Sequence, residues 1–222
     1  MKKNKSIALI EAYLFAKKYI IKRGYFSEIE WQDNRDYNNI RYRDLINEAI
    51  WVILSAGLSY KVVSKKFSSI SMILEQFENL DSLVKNKKNI RRKILNIFNN
   101  DKKVDAIFTF IDFLNDKGVE QFKKDLIILG ETYLLELPFF GPATSRHFLK
   151  NIGISISKPD RHLLRISNLC GFKSVDSLCS YIEKRTEEKK SVIDLVIWRY
   201  ATIDKNYLFN IENHLVKSSI TF

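Results

Sequence analysis

The stretch LPFFGPATSRHFLKNIGISISKPDRHLLRISN, residues 137–168, decides the fold of this chain. It contains the end of one helix, a tight turn with proline and glycine, and a second helix that begins at Pro142, because the first helical turn does not need the N–H that proline lacks. Asp160, at or next to an N-cap, begins a third helix. Such a hairpin presents backbone N–H groups at the positive end of a helix, where one phosphate can bind. Gly141 allows either close approach of that phosphate or a positive φ angle.

The amino-acid composition of the chain predicts an all-α protein. Forty-five per cent of the 222 residues are hydrophobic, enough for a sizeable core, and seven glycines with three prolines are too few for the turns of an all-β fold. Apolar residues at helical spacing predict a first helix over residues 7–24 and a buried helix over 42–54. Further helices are predicted over residues 61–67, 70–77, 81–84, 90–98, 104–114 and 121–137, whereas 25–39 is predicted to be a loop.

The formal net charge of +11 favours a polyanionic partner, because Lys and Arg displace the counterions condensed on phosphates. A chain that is simply rich in Lys, Ile and Asn would carry the same charge, so the charge alone does not identify DNA. The densest basic run, KNKKNIRRK at residues 85–93, is either a DNA contact or a solvated helix face.

Other function classes are disfavoured by the sequence. Cys170 and Cys179 are too few for a disulfide framework or a four-thiolate iron–sulfur cluster, and we expect a cytoplasmic, nucleoid-associated protein. Charged residues at helical spacing interrupt the N-terminal apolar segment, which excludes a secretory signal. No run approaches the roughly 20 apolar residues of a membrane span, so no membrane partner is expected.

Two motifs, spaced in this chain as they are in a known protein family, carry a resemblance to that family. The first, LP-x-x-G-x-x-T, is matched by Leu137, Pro138, Gly141 and Thr144, and the second, D-x-H-hydrophobic-x-R, by Asp160, His162, Leu163 and Arg165. In both the chain resembles the helix-hairpin-helix (HhH-GPD) superfamily of DNA glycosylases. The resemblance implies that the protein is a base-excision repair enzyme and that Asp160 is its catalytic carboxylate. It also implies DNA contacts at the hairpin residues Pro138, Phe139, Phe140, Gly141, Ala143 and Thr144.

A weaker resemblance covers LINEAIWVILSAGLSYKVV, residues 45–63, which looks like the family's buried helix and the loop that fills the gap left by an extruded base. SAGLSY is similar to the QAGLSW stretch of the 3-methyladenine glycosylases. Gly57 and Leu58 are therefore candidate DNA contacts, with Leu58 as the wedge. The candidate base pocket consists of Trp51, Tyr60 and His162, with Trp31 and Trp198 as further aromatic candidates; aromatics at helical spacing also serve as core. For His162 the family position favours a structural hydrogen bond, and no cluster supports zinc.

Departures from the family pattern define the expected chemistry. Ala143 stands where bifunctional members carry a lysine, so no amine is present for a Schiff base and lyase activity is not expected. Phe139 replaces the first hairpin glycine, which bears on the phosphate-binding geometry. The four-cysteine cluster motif is absent; no cofactor is expected beyond a monovalent cation at the hairpin.

The resulting prediction is a monomeric, monofunctional glycosylase that removes an alkylated purine from double-stranded DNA. A glycosylase for an oxidised or mismatched base and a non-catalytic helix-hairpin-helix DNA-binding protein are the alternatives. The resemblance implies two helical lobes with the active site in a cleft: residues 41–152 as a central bundle, and residues 1–40 plus 153–222 as the second lobe.

Overall fold

A computed structural model describes residues 2–76 and 79–220, apart from the side chains of 2–6, 60 and 217–220. Throughout these residues the secondary structure is helical and no strand occurs, which confirms the all-α class. The α-helices are, in order, α1 (Lys2–Lys22), α2 (Phe26–Asp33), α3 (Tyr42–Ser55), α4 (Tyr60–Glu75), α5 (Leu80–Lys85), α6 (Lys87–Ile97), α7 (Asp101–Lys117), α8 (Val119–Leu129), α9 (Pro142–Asn151), α10 (Arg161–Leu169), α11 (Val175–Thr186), α12 (Lys190–Ile203) and α13 (Tyr207–Ile220). Short 3₁₀ segments occupy Tyr37–Asn39 and Gly130–Leu134.

The helices form two compact units: unit 1 comprises Met1–Arg35 and Gly153–Phe222, and unit 2 comprises Asp36–Ile152. The first boundary therefore lies after Arg35, whereas the sequence predicts it after residue 40. Hydrogen bonds explain the difference, because the Tyr37 hydroxyl donates to the Lys123 carbonyl at 2.6 Å and Lys123 Nζ donates to the Asn38 carbonyl at 3.1 Å. These bonds attach the first 3₁₀ segment to α8 of unit 2.

Unit 2 is built around α3 and α7, which pack on each other. The apolar face of α3 is fully buried, as the period of its sequence predicts, and it also contacts α4 and α9. Buried phenylalanines from α7, α8 and α9 pack on one another in this core, including Phe110, Phe122 and Phe148. This core supports the segment that precedes α9.

Unit 1 is built around α12, which packs against α1, α2, α10, α11 and α13. Most of α12 is buried, from Ser191 to Ala201, and Tyr200 is fully enclosed. A helix that is apolar on nearly every face belongs in the centre of a bundle, where neighbours cover all of its sides. Helix α10, which begins after Asp160, is one of those neighbours.

Three sequence predictions were wrong in detail. The loop predicted over residues 25–39 contains α2, a short helix that Arg199 of α12 stabilises through a bidentate ion pair with Glu28, at 2.6 and 2.8 Å. The two helices predicted over residues 61–77 are one helix, α4. The helix predicted over residues 121–137 ends at Leu129, because Gly130 adopts φ 60° and ψ −138° and a 3₁₀ segment follows.

Candidate functional site

The turn before α9 holds a non-glycine residue in the left-handed conformation. Phe139 has φ 67°, at the position where the resembled family has glycine, and the preceding Pro138 is exposed. Gly141 is extended, with φ −99° and ψ −179°. The sequence allowed a positive φ angle at Gly141, but in the structure that angle occurs two residues earlier, at Phe139. A Cβ at Gly141 would lie 3.9 Å from Thr144 Oγ1, an ordinary contact. The fold itself therefore does not require glycine at position 141.

Backbone N–H groups at the start of α9 divide into bonded and unbonded donors. Gly141 N–H donates to Thr144 Oγ1 at 2.6 Å, and Ser145 N–H donates to the Gly141 carbonyl at 2.8 Å. Pro142 has no N–H. No residue that the structure describes accepts a hydrogen bond from the N–H of Ala143 or Thr144. Two adjacent donors at the positive end of a ten-residue helix are suited to an anion.

Side chains fix this turn to the core of unit 2. Phe140 is only 3% exposed, and its ring stacks on Phe110 and meets Phe148 edge to face. The ring is part of the core and is not accessible to a ligand. Arg146 Nε of α9 lies 2.5 Å from Glu131 Oε2 of the second 3₁₀ segment, which joins the two arms of the hairpin.

The α3–α4 loop, residues 56–59, is exposed from Gly57 onward. Gly57 has φ 74°, a left-handed conformation that favours glycine, and the Leu58 side chain is partly exposed to solvent. The ring of Trp51 is half-buried and packs edge to face on Phe67 of α4, with 5.3 Å between centroids. The side chain of Tyr60 lies outside the described residues. The roles of these residues in base binding stay predictions.

A buried lysine that the sequence did not single out connects this loop with the hairpin. The Lys103 side chain, 5% exposed, donates to the carbonyls of Ile53, Leu54 at 3.0 Å and Ala56 at 2.7 Å. Its Nζ lies 4.8 Å from the centroid of the Phe139 ring. Burial lowers the pKa of the Lys103 ammonium from its ordinary value. Lysine at the third position of a helix, where acidic residues are favoured, was the only signal in the sequence.

In unit 1, Asp160 is the N-cap of α10, as predicted from the sequence. Its Oδ1 accepts the backbone N–H of His162 at 2.8 Å and of Leu163 at 2.9 Å. Within the described residues, no donor bonds the second oxygen, Oδ2, and the side chain is half-buried. One oxygen is thus fixed by the helix while the other remains available to a ligand.

The segment that leads into Asp160 is held by a second carboxylate. Asp194 of α12, 1% exposed, accepts the Lys158 N–H at its Oδ2 at 2.7 Å. Ser157 is fully buried, and its hydroxyl lies 3.4 Å from Asp176 of α11. The main chain just before Asp160 is therefore fixed to α12 and α11. Sequence reasoning missed Asp194, whose contacts arise only on folding.

His162 is half-buried beside Tyr207 of α13. Its Nδ1 lies 3.2 Å from the Tyr207 hydroxyl, and the two rings meet edge to face. Burial lowers the pKa of the imidazole, and the nearby Asp160 charge opposes that shift only in part. This environment favours a neutral imidazole that makes a structural hydrogen bond.

No family model, curated protein or solved structure matches this chain. In the part of the chain that is described, no group of three His, Cys, Asp or Glu side chains is arranged to hold a metal ion. None of the described helices combines the length and the apolar character needed to cross a membrane.

The basic run at residues 85–93 is only partly committed to ion pairs. Arg91 pairs with Asp101 and Asp105 of α7, each at 2.7 Å. Lys88 and Arg92 lie four residues apart on α6 and are exposed, and no carboxylate among the described residues pairs with either. The exposed pair is the part of the run that suits a phosphate backbone.

Proposed function

We propose that this chain is a monofunctional DNA glycosylase, which hydrolyses the N-glycosidic bond of a flipped-out damaged base in double-stranded DNA, with an alkylated purine as the substrate. The observation that carries the proposal is the placement of Asp160. Its Oδ1 is fixed by two N-cap hydrogen bonds, whereas Oδ2 has no donor among the described residues. A half-buried carboxylate held in this way suits a reaction that develops positive charge next to it.

The hairpin supports the same proposal from the side of DNA binding. The unbonded N–H groups of Ala143 and Thr144 would hold one phosphate without reading a base. A duplex base is out of reach of any carboxylate, so the nucleotide must be extruded first. Leu58, an exposed apolar side chain beside a glycine turn, is the residue proposed to fill the resulting gap.

The proposed reaction is a hydrolysis in which atoms and charges balance. The bond between C1′ and the base nitrogen breaks, and its electron pair leaves with the base. Asp160 stabilises the positive charge that develops on the deoxyribose and accepts a proton from the attacking water, whose oxygen bonds to C1′. A cationic alkylated purine leaves as a neutral base and needs no acid catalyst. Ala143 provides no amine for a Schiff base, so the product is an intact abasic site.

The test is incubation of the wild type and of Asp160→Asn with duplexes that contain one alkylated, oxidised or mismatched base. Alkali then cleaves the abasic sites, and borohydride traps any Schiff base. Asparagine is as good an N-cap as aspartate, so the variant should fold while losing the charge. We expect alkali-labile sites at alkylated purines only, no trapped adduct, and a loss of about a hundredfold or more for Asp160→Asn.

The alternatives predict other results in the same assay. Release of an oxidised or mismatched base, with alkylated purines left intact, would assign a different substrate to the same carboxylate. A non-catalytic DNA-binding protein predicts no abasic product at any lesion, with duplex affinity unchanged in Asp160→Asn.

A further inference from the structure

Lys103 lies where two segments of the candidate DNA-binding surface meet. It extends from the first turn of α7 to the last turn of α3, where it donates to three carbonyls, those of Ile53, Leu54 and Ala56. The same ammonium faces the ring of Phe139 at 4.8 Å. Ala56 begins the α3–α4 loop, and Phe139 belongs to the phosphate turn, which we define as residues 138–144 so that it includes the two unbonded N–H groups of Ala143 and Thr144.

The placement of this lysine is unfavourable for its own helix. A cation near the start of α7 opposes the helix dipole, and burial removes the ammonium from water. Both effects are offset at α3, whose terminal carbonyls lack partners within the helix and carry the negative end of its dipole. Phe139 in turn occupies a left-handed conformation that disfavours side chains. The contact between Lys103 and Phe139 therefore joins two residues that are each in a locally unfavourable position.

We propose that Lys103 is a positioning residue that couples the α3–α4 loop to the phosphate turn, so that the grip on the backbone phosphate and the insertion of Leu58 occur as one event. The inference rests on the proposed function. The three bonds to carbonyls fix the end of α3, from which the loop starts, and the cation–π contact fixes the turn relative to it. Binding of a phosphate at the turn then orders the loop that carries the wedge.

A role for Lys103 as a nucleophile does not fit its contacts. An amine attacks C1′ through a lone pair, which requires that it lose a proton. Three carbonyls accept from this ammonium, so all three of its protons are engaged. Lys103 therefore acts through the segments that it holds and does not contact the reacting atoms.

The experiment compares Lys103→Met and Phe139→Leu with Lys102→Met, a matched control for an exposed lysine one residue away. Hydrogen exchange without DNA tests the coupling itself. In Lys103→Met we expect faster exchange in both the α3–α4 loop and the phosphate turn, by about tenfold, and no change in Lys102→Met. Faster exchange in the loop alone would overturn the coupling.

A second measurement uses a duplex with 2-aminopurine next to 7-methylguanine to follow base extrusion and excision. We expect Lys103→Met to bind undamaged duplex within about threefold of the wild type, while extrusion and single-turnover excision fall by at least about tenfold. A merely structural role would lower binding and excision together.

Phe139→Leu keeps the three carbonyl bonds and removes only the ring, so it tests the contact even where Lys103→Met does not fold. We expect extrusion to fall, but by less than in Lys103→Met, because the three carbonyl bonds remain. An active wild type with unchanged extrusion in Phe139→Leu or Lys103→Met overturns the inference alone. A wild type that neither extrudes nor excises the base overturns the proposed function.

Discussion

The left-handed backbone at Phe139 predicts that glycine destabilises the protein less than alanine does at this position, which reverses their usual order. Phe139→Ala and Phe139→Gly both remove the ring and its contact with Lys103, so those losses cancel in the comparison. At φ 67° a residue with a Cβ is destabilised by about 1–2 kcal/mol, and glycine loses about 0.5–1 kcal/mol through its greater freedom in the unfolded chain. We therefore expect Phe139→Gly to be more stable than Phe139→Ala by about 0.5–1 kcal/mol.

Urea unfolding measures this difference, provided that the m-value is the same in both variants. Ala143→Gly is the internal control, because position 143 is helical and glycine there should destabilise by up to about 1 kcal/mol. An alanine variant at position 139 as stable as the glycine variant would refute the claim that this turn is strained.

Three further predictions concern DNA binding and pH. Gly141→Ala should leave stability nearly unchanged, since a Cβ there meets no close contact, yet weaken duplex binding measured by fluorescence anisotropy; unchanged affinity would mean that no phosphate approaches this backbone. Replacing Lys88 and Arg92 by Gln should reduce the slope of log K against log salt by about 2, whereas Arg91→Gln should not change it. The native state disfavours protonated His162, so its contribution to stability is present above the unfolded pKa of about 6.5 and lost as pH falls below it. Unfolding free energies from pH 7 to 5 should therefore fall less steeply in His162→Gln than in the wild type.

The parts of the fold that the sequence predicted are those set by local chemistry. Asp160 could be assigned as an N-cap because the rule depends on one side chain and the two N–H groups that follow it. Helix α3 was predicted because its apolar residues recur at the helical period. That pattern can be recognised without knowing which helices pack against it.

The parts that the sequence did not predict depend on distant contacts or on backbone conformation. Helix α2 is short and weakly patterned, and the ion pair between Glu28 and Arg199 joins residues far apart in the chain. Gly130 ends α8 through its backbone angles, although the apolar residues around it continue the helical pattern. Lys103 has acceptors about fifty residues earlier, so its burial follows only from the packing of α7 on α3.

The role of Asp160 is tested most directly by the single-turnover rate of base release from a duplex with one 7-methylguanine, for the wild type and Asp160→Asn. Asp204→Asn is the matched control, because Asp204 also accepts a backbone N–H two residues ahead, at 2.8 Å, in the same unit. We expect the control to match the wild type and Asp160→Asn to be slower by about a hundredfold or more at similar duplex affinity. Equal rates in Asp160→Asn and the wild type would contradict the assignment of Asp160 as the catalytic carboxylate.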